Sequence, residues 1–343
     1  MPRLDRRLAR VTTIERVTAT ALWGRARIDS EAPERAIVAY PSLTGPLAVG
    51  DWVLLNTTAT GLALGTGGVD FVIAASTEPI PVSLPSEQET GDEHIIKLRY
   101  TPLQHAVSVV EQSADWDETT TLSGLPVVAC LLHSQVALVA AAVKAAAPSK
   151  RIAYVMTDSA ALPLGFSKLV AQLRALGLLD VTLTCGQAFG GERECVTLPS
   201  ALLAARSVEK ADVVIVAPGP GNAGTGTRYG FSGIEQAWTL SVTAALGGRA
   251  LCCLRASSAD PRPRHQGLSH HSRTVLALAG TCPEAGWPHD TPLPENLSAT
   301  PLLADPEPGL ALLEKNHLRV TSMGRTAAQD PLFFRVSAAF GCL

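Results

Sequence analysis

The hydrophobic and polar positions of the chain follow two different patterns, one before Gly124 and one after it. Between Thr12 and Ile80, short β-type runs such as DWVLLN are separated by Gly, Pro and Asp. Alternation of apolar and polar residues with a period of two is typical of strands that bury one face. The first pattern therefore predicts a small all-β barrel or sandwich.

After Gly124, continuous apolar runs alternate with stretches of helical character. Because a strand that is covered on both faces is apolar throughout, this alternation predicts a parallel sheet between two layers of helices. The expected strands are Pro126–Leu132, Arg151–Thr157, Asp180–Cys185, Asp212–Ala217 and Arg249–Leu254. The expected fold class is α/β, with a doubly wound, mostly parallel, Rossmann-like sheet that follows the small β domain.

The length of 343 residues favours two domains. We predict a β-rich domain over residues 1–100, which residues 318–343 could complete, and a Rossmann-like α/β domain over residues 101–280. A proline-rich surface loop is expected over residues 281–317, because prolines are dense there. A last helix is predicted to begin with Asp330 as N-cap and Pro331 at its first position.

The composition excludes several classes of protein. Charged residues are 17% of the chain, hydrophobic residues are 46% and the net charge is -3, so neither disorder nor attraction to nucleic acid is expected. Polar residues interrupt the most apolar segment, Val127–Val143, so no membrane partner is expected. The seven cysteines contain no CxxC pair, which argues against a disulfide framework. A cytoplasmic protein, either monomeric or a homo-oligomer, fits these features.

A glycine-rich stretch, PGPGNAGTG, follows the fourth predicted strand of the sheet. In open parallel sheets ligands bind beyond the carboxyl ends of the strands, and glycines let backbone N–H groups approach an anion. The stretch contains a GxGxxG pattern, but its position after the fourth strand argues against a dinucleotide site. Glycines that only serve tight turns are the alternative. The expected anion-binding residues are Gly219, Gly221, Asn222, Gly224, Thr225 and Gly226.

The loop after the fifth predicted strand, RASSADPRPRHQGLSHHSR, is rich in arginine and histidine. A guanidinium group can bond two oxygens of a phosphate or carboxylate at once. We therefore expect Arg255, Arg262, Arg264 and His265 to bind the anion, with a solvated basic loop as the alternative.

Acid–base groups are expected at the same edge of the sheet. Asp158 directly follows a buried strand, and His270 and His271 follow the N-cap residue Ser269, so these three are the candidate catalytic residues. The cofactor is unknown, but a divalent metal ion held by His133, Asp158, His265 and His270 is one possibility. Because adjacent side chains diverge, His270 and His271 are not expected to bind one metal together. Capping of a helix by Asp158, and histidines bonded to backbone carbonyls, are the structural alternatives.

Four long segments are distinctive: TCGQAFGGERECV, APGPGNAGTGTRYGFSGIEQAW, RASSADPRPRHQGLSHHSRTVLAL and VTSMGRTAAQDPLFF. The chain resembles, over almost its whole length, an uncharacterised bacterial family labelled domain of unknown function 3866. The resemblance implies a cytoplasmic bacterial protein and brings no activity, substrate or catalytic residue. Gln187 stands where this family often has histidine.

Taken together, the residues favour an enzyme that acts on a phosphate- or carboxylate-bearing small molecule by hydrolysis or group transfer. A non-catalytic metabolite sensor would use the same loops to bind its ligand. A scaffold protein without a ligand is the third possibility.

Overall fold

The computed structural model describes residues 3–28, 33–64, 67–81, 93–117 and 121–343. The chain divides into two compact units, Met1–Val109 and Val110–Leu343.

The first unit contains a closed barrel of five strands. The strands are β1 (Arg6–Val17), β2 (Leu22–Arg27), β3 (Arg35–Ala39), β4 (Trp52–Asn56) and β5 (Asp70–Ser76). Their order around the barrel is β1-β2-β3-β5-β4, and β4 closes onto β1. Neighbouring strands are antiparallel, except that β3 and β5 run parallel. Apolar side chains that alternate along the strands, such as Ala9 and Val11, fill the interior, so the predicted small all-β barrel is confirmed.

Smaller elements complete this unit. Two one-turn helices, α1 (Pro41–Thr44) and α2 (Thr58–Gly61), connect barrel strands, and β6 (Ile95–Lys97) pairs with β7 (His105–Val107) as a separate hairpin.

The second unit is built on an eight-stranded parallel sheet. In chain order the eight strands are β8 (Pro126–Cys130), β9 (Ile152–Thr157), β10 (Val181–Thr184), β11 (Arg193–Glu194), β12 (Val213–Pro218), β13 (Arg249–Cys253), β16 (Glu284–Pro288) and β17 (Thr300–Ala304). Between β13 and β16 the chain forms a separate antiparallel pair, β14 (Ala256–Ser257) and β15 (Gly267–Leu268). The order across the sheet is β11-β10-β9-β12-β8-β13-β16-β17. The five predicted strands correspond to β8, β9, β10, β12 and β13.

Helices cover both faces of this sheet. They are α3 (Gln135–Ala146), α4 (Lys168–Ala175), α5 (Leu198–Ser207), α6 (Gln236–Ala245), α7 (His270–Leu278), α8 (Glu307–Lys315) and α9 (Pro331–Ser337). Val128 of β8 packs in the cluster that contains α3, whereas its neighbour Val127 packs in the cluster that contains α5. Burial on both faces explains why the central strands are apolar throughout.

The mixed α/β class is confirmed, but the Rossmann-like topology is not. In a Rossmann sheet the first two strands of the domain are neighbours. Here β12 lies between β8 and β9, so the crossover through α3 passes over one strand position.

The carboxy-terminal part of the chain differs from the prediction. The predicted loop over residues 281–317 contains β16, β17 and α8. Its prolines are compatible with these elements because Pro301 lies in the edge strand and Pro308 lies in the first turn of the helix.

Residues 318–343 lie in the second unit and do not complete the barrel. The α9 helix begins at Pro331, as predicted, and the chain after it packs against the main sheet. A Cβ atom on Gly286 of β16 would lie 2.6 Å from Cζ of Phe340, which shows how closely the chain end approaches the strand. Within the described residues, no helix is long and apolar enough to cross a membrane.

Candidate functional site

Three neighbouring strands of the sheet end in residues that the sequence indicates as functional. His133 follows β8, the glycine-rich stretch follows β12 and Arg255 follows β13. Because these strands are parallel, all three segments begin at the same edge of the sheet.

A cluster of three histidines lies at the start of α7. His265, His270 and His271 each place one ring nitrogen within 4.8 Å of the other two. The ring centroids of His270 and His271 are 4.4 Å apart, so the expectation that these side chains diverge is wrong. His265 joins them because it lies on a 3-10 turn that precedes the helix, where its Nδ1 is 2.7 Å from Oγ of the N-cap residue Ser269. We call these three residues the histidine cluster.

The glycine-rich stretch forms one wall of the histidine cluster. Gly224 and Phe231 form a β-bridge that makes this stretch an exposed hairpin. The ring of Phe231 stacks on His271 with centroids 3.7 Å apart and an interplanar angle of 6°. A Cβ on Gly226 would lie only 3.1 Å from Nη2 of Arg264, so the hairpin also contacts the arginine-rich loop. The two loops that the sequence indicates therefore meet.

Part of the backbone of the hairpin is engaged in hydrogen bonds within the hairpin itself. The amide of Thr225 donates to the carbonyl of Gly230 at 2.8 Å, and the amide of Gly233 donates to Oδ1 of Asn222 at 3.1 Å. Asn222 also donates through Nδ2 to the carbonyl of Leu131, at the end of β8. Asn222 thus anchors the hairpin, and the positive φ angles of Gly221 and Gly226 serve its turns. The hairpin is a wall of the site, and the amides of Gly221, Gly224 and Gly226 have no hydrogen-bond partner among the described residues.

Arg255 is buried behind the histidine cluster. Its Nη1 donates to Nδ1 of His271 at 3.1 Å. Since a guanidinium is a donor only, Nδ1 of His271 is an acceptor, and the proton of the neutral ring is on Nε2. Burial lowers the pKa of Arg255 to about 10, with the neighbouring Asp260 acting in the opposite direction.

Asp260 organises the arginine-rich loop. Its buried carboxylate accepts two hydrogen bonds from Arg262, at 2.9 and 2.8 Å, and one from Arg325 at 3.4 Å. The hydrogen bonds from Arg262 hold the pKa of Asp260 well below its usual range. Asp330 in turn accepts hydrogen bonds from Ser257 and from Arg325, which tie the loop to the carboxy-terminal segment. Arg262 is therefore engaged by Asp260 and holds the loop in shape.

Arg264 differs from the other arginines of this loop. It is exposed, and within the described part of the chain it has no hydrogen-bond or ion-pair partner. Its charge contributes to the lowered pKa of His270, although burial is the larger cause.

All three histidines are neutral at neutral pH. Burial, together with the nearby charge of Arg255, lowers the pKa of His271 to about 3 and that of His265 to about 4. The Nε2 atom of His270 is buried and has no hydrogen-bond partner among the described residues. The cluster thus presents neutral rings beside uncompensated positive charge.

A family model described as protein of unknown function (DUF3866) matches residues 35–341 of the chain. The chain belongs to the DUF3866 family. The match begins at the first residue of β3 and includes the whole histidine cluster. No curated protein and no solved structure matches this DUF3866 chain. Its function therefore has to be argued from the site.

Two other predicted residues of the DUF3866 chain lie outside the histidine cluster. His133 is bonded through Nε2 to Oγ of Ser167 at 2.7 Å and through Nδ1 to the carbonyl of Pro218 at 3.1 Å, and burial lowers its pKa. Asp158 accepts a hydrogen bond from the amide of Gln187 at 2.8 Å. The structure thus groups His265 and His270 with His271, and it does not bring His133 and Asp158 to them.

Glu235 is a candidate that sequence reasoning missed. It lies on the 3-10 turn before α6 and accepts hydrogen bonds from Thr157, at the end of β9, and from Gln236. Burial raises its pKa, which is the usual state of a carboxyl group that acts as an acid. No local signal marks Glu235, because its partner Thr157 lies far away in the sequence.

A cavity of about 550 Å³ lies elsewhere in the DUF3866 chain, between α8 and α9. Its walls are mainly apolar and include Leu310, Leu313 and Phe334. It is lined by none of the predicted site residues, so this cavity is separate from the histidine cluster.

Proposed function

We propose that this DUF3866 protein is an enzyme that binds a phosphate- or carboxylate-bearing small molecule at the histidine cluster and hydrolyses it or transfers a group from it. The observation that carries the proposal is the hydrogen bond from Arg255 to Nδ1 of His271. It leaves Nε2 of His271 as an N–H donor, and Arg264 lies nearby with no ion-pair partner among the described residues. A donor and an unpaired guanidinium are what an oxyanion requires.

The same hydrogen bond disfavours a metal ion on all three histidines. A ligating imidazole needs a free lone pair, and the lone pair of His271 on Nδ1 already accepts from Arg255. The described residues place no carboxylate in the cluster, since its members are all histidines. A divalent cation would also lie beside the charges of Arg255 and Arg264, which repel it. The same two positive charges attract an anion.

Each polar side chain at the histidine cluster has its own role in the proposed reaction. Arg264 would neutralise the anion, and His271 would donate to one of its oxygens. His270, with a neutral ring and an Nε2 that has no partner among the described residues, would take the proton from an attacking water or hydroxyl group. As the bond to the leaving group breaks, His270 would return this proton to the leaving group. Arg262 and Asp260 would hold the loop in place. Helices on both faces of the sheet support a doubly wound architecture, in which a site at this edge is expected.

Calorimetric titration with inorganic phosphate and, separately, with Zn²⁺ tests the binding part of the proposal. Phosphate should bind, and Arg264→Gln should weaken it by about tenfold or more, because a charge-assisted hydrogen bond is lost. Arg206→Gln is the matched control, since Arg206 is exposed on α5, away from the site. Binding of Zn²⁺ in the absence of any binding of phosphate would overturn the anion site.

Turnover needs its own measurement. We expect hydrolysis of a nitrophenyl phosphate or a nitrophenyl ester, and His270→Gln should abolish it while phosphate still binds and the melting temperature is nearly unchanged. Phosphate binding without turnover of any ester would refute the enzymatic role and favour a non-catalytic anion sensor. The seven cysteines are free thiols, which supports a reducing, cytoplasmic compartment for either role.

A further inference from the structure

The outer surface of the barrel carries arginines that are held by tryptophans. The guanidinium carbon of Arg16 lies 4.9 Å from the ring of Trp23, and that of Arg10 lies 5.8 Å from the ring of Trp52. In the strand register, Arg10 on β1 is opposite Trp52 on β4 and opposite Arg27 on β2. We call these five residues the Arg–Trp face.

The positive charge of this face is only partly neutralised. Arg27 pairs with Glu34 at 2.8 Å, and the adjacent Arg25 pairs with Glu15 at 2.8 Å. Arg10 donates to the carbonyl of Gly50 at 3.0 Å, but within the described residues neither Arg10 nor Arg16 has a carboxylate partner. A contact with an indole ring orders a guanidinium without cancelling its charge.

The register also places two like charges directly opposite each other. Arg10 and Arg27 are cross-strand partners in an antiparallel pair, an arrangement that destabilises a sheet when nothing compensates it. Among the described residues, Glu34 pairs with Arg27 and no carboxylate pairs with Arg10. A bound chain of negative charges would relieve the remaining repulsion.

We propose that the Arg–Trp face binds single-stranded nucleic acid. Phosphates would contact Arg10 and Arg16, and bases would stack on the guanidinium and indole planes, the combination that single-strand binding proteins use. In a duplex the bases are not available for such stacking. The barrel is compatible with the proposal, because five-stranded oligonucleotide-binding barrels bind through a face that includes strand 2, and Trp23 and Arg27 lie on β2.

The net charge of the chain, taken by itself, predicts no attraction to nucleic acid. The net charge of -3 averages the whole chain, whereas the Arg–Trp face is a local feature of β1, β2 and β4. Most of it lies on strands that precede the family match, which begins at residue 35. The proposal is independent of the histidine cluster, so either can fail without the other.

Fluorescence anisotropy of the full chain with labelled oligothymidine and oligouridine tests the proposal. We expect binding at low salt, with an affinity that falls as salt rises. The double variant Arg10→Gln/Arg16→Gln should weaken binding by at least about tenfold and reduce the salt dependence by about 1.4 in the log–log slope, since each lost phosphate contact contributes about 0.7 for single strands. Arg206→Gln on α5 is the control and should bind like the wild type.

A second variant separates charge from stacking. Arg16→Lys keeps the charge but loses the planar group, so it should bind with an affinity between those of the wild type and the double variant. Equal binding of the two oligonucleotides, or a preference for the RNA, would support the proposal. Three results would overturn it: no binding at low salt, an unchanged affinity in a folded double variant, or equally effective competition by duplex DNA or polyglutamate.

Discussion

Replacing Asp260 by Asn should destabilise the second unit strongly. The side chain of Asp260 is fully buried, and that of Arg255 beside it is 6% exposed. Asn cannot balance the charge of Arg255, and removal of one partner from a buried ion pair costs about 3–5 kcal/mol. The hydrogen bonds that Arg262 donates to this carboxylate would be weakened as well, because Asn presents a neutral oxygen in its place. We therefore expect a loss of about 3 kcal/mol in the free energy of unfolding.

Urea denaturation monitored by circular dichroism would measure this loss. With a dependence on urea of about 3 kcal/mol per M, the midpoint should fall by about 1 M. Asp290→Asn is the matched control, since Asp290 also pairs with an arginine, Arg335, but at the exposed surface. The control should leave the midpoint unchanged. If Asp260→Asn unfolds at the same urea concentration as the wild type, the buried ion network does not stabilise this loop and the reasoning fails.

The pH dependence gives a second check on the same residue. The folded state holds the pKa of Asp260 well below its usual value of about 3.9, so its contribution is fully present above that value. The contribution is lost as the pH falls toward the lowered pKa of the folded state, because the unfolded chain then binds the proton first. The difference in stability between the wild type and Asp260→Asn should therefore shrink in acid. A difference that stays constant down to strongly acidic pH would contradict this assignment.

Other variants test separate parts of the structure. Gly286→Ala should cost about 1–3 kcal/mol and lower the melting temperature, because its Cβ would overlap the ring of Phe340; an unchanged melting temperature would show that this contact can relax. His271→Phe keeps an aromatic ring on Phe231 and removes a group whose folded pKa is lowered to about 3. The stability that this histidine contributes is complete above its unfolded pKa of about 6.5 and is lost as the pH falls toward 3, so the variant should show a flatter pH–stability profile over that range. Glu235→Gln should leave the melting temperature at neutral pH unchanged or raised, since burial already disfavours the charged form; a large decrease would mean that the carboxylate itself is needed.

Local patterns predicted the elements that are buried on both faces or that begin at a proline. The run that became β12 is apolar at every position because helices cover it on both sides, and this is visible without any partner. The start of α9 at Pro331 was equally visible. The role of Asp330 was not, because its carboxylate makes no cap and instead bonds Ser257 and Arg325.

The partners of the site residues could not be predicted in the same way. The glycine-rich and arginine-rich loops were identified from composition. The sequence did not distinguish Arg262, which Asp260 engages, from Arg264, which has no ion-pair partner in the described part of the chain. The structure also corrected the relation of His270 to His271. These outcomes depend on which loops meet, and that depends on the order of the strands.

The sequence by itself determined the two-part organisation and the central strands, because burial produces a regular pattern of apolar residues along the chain. It also determined the two loops that carry the candidate chemistry, through their content of glycine, arginine and histidine. Only the tertiary structure decided that β12 lies between β8 and β9, that the histidines meet beside Arg255 and that Arg10 faces Arg27 on the barrel. The physical reason is that hydrogen bonds and charge pairs join residues that are distant in the chain, and no local pattern records which distant residue becomes the partner.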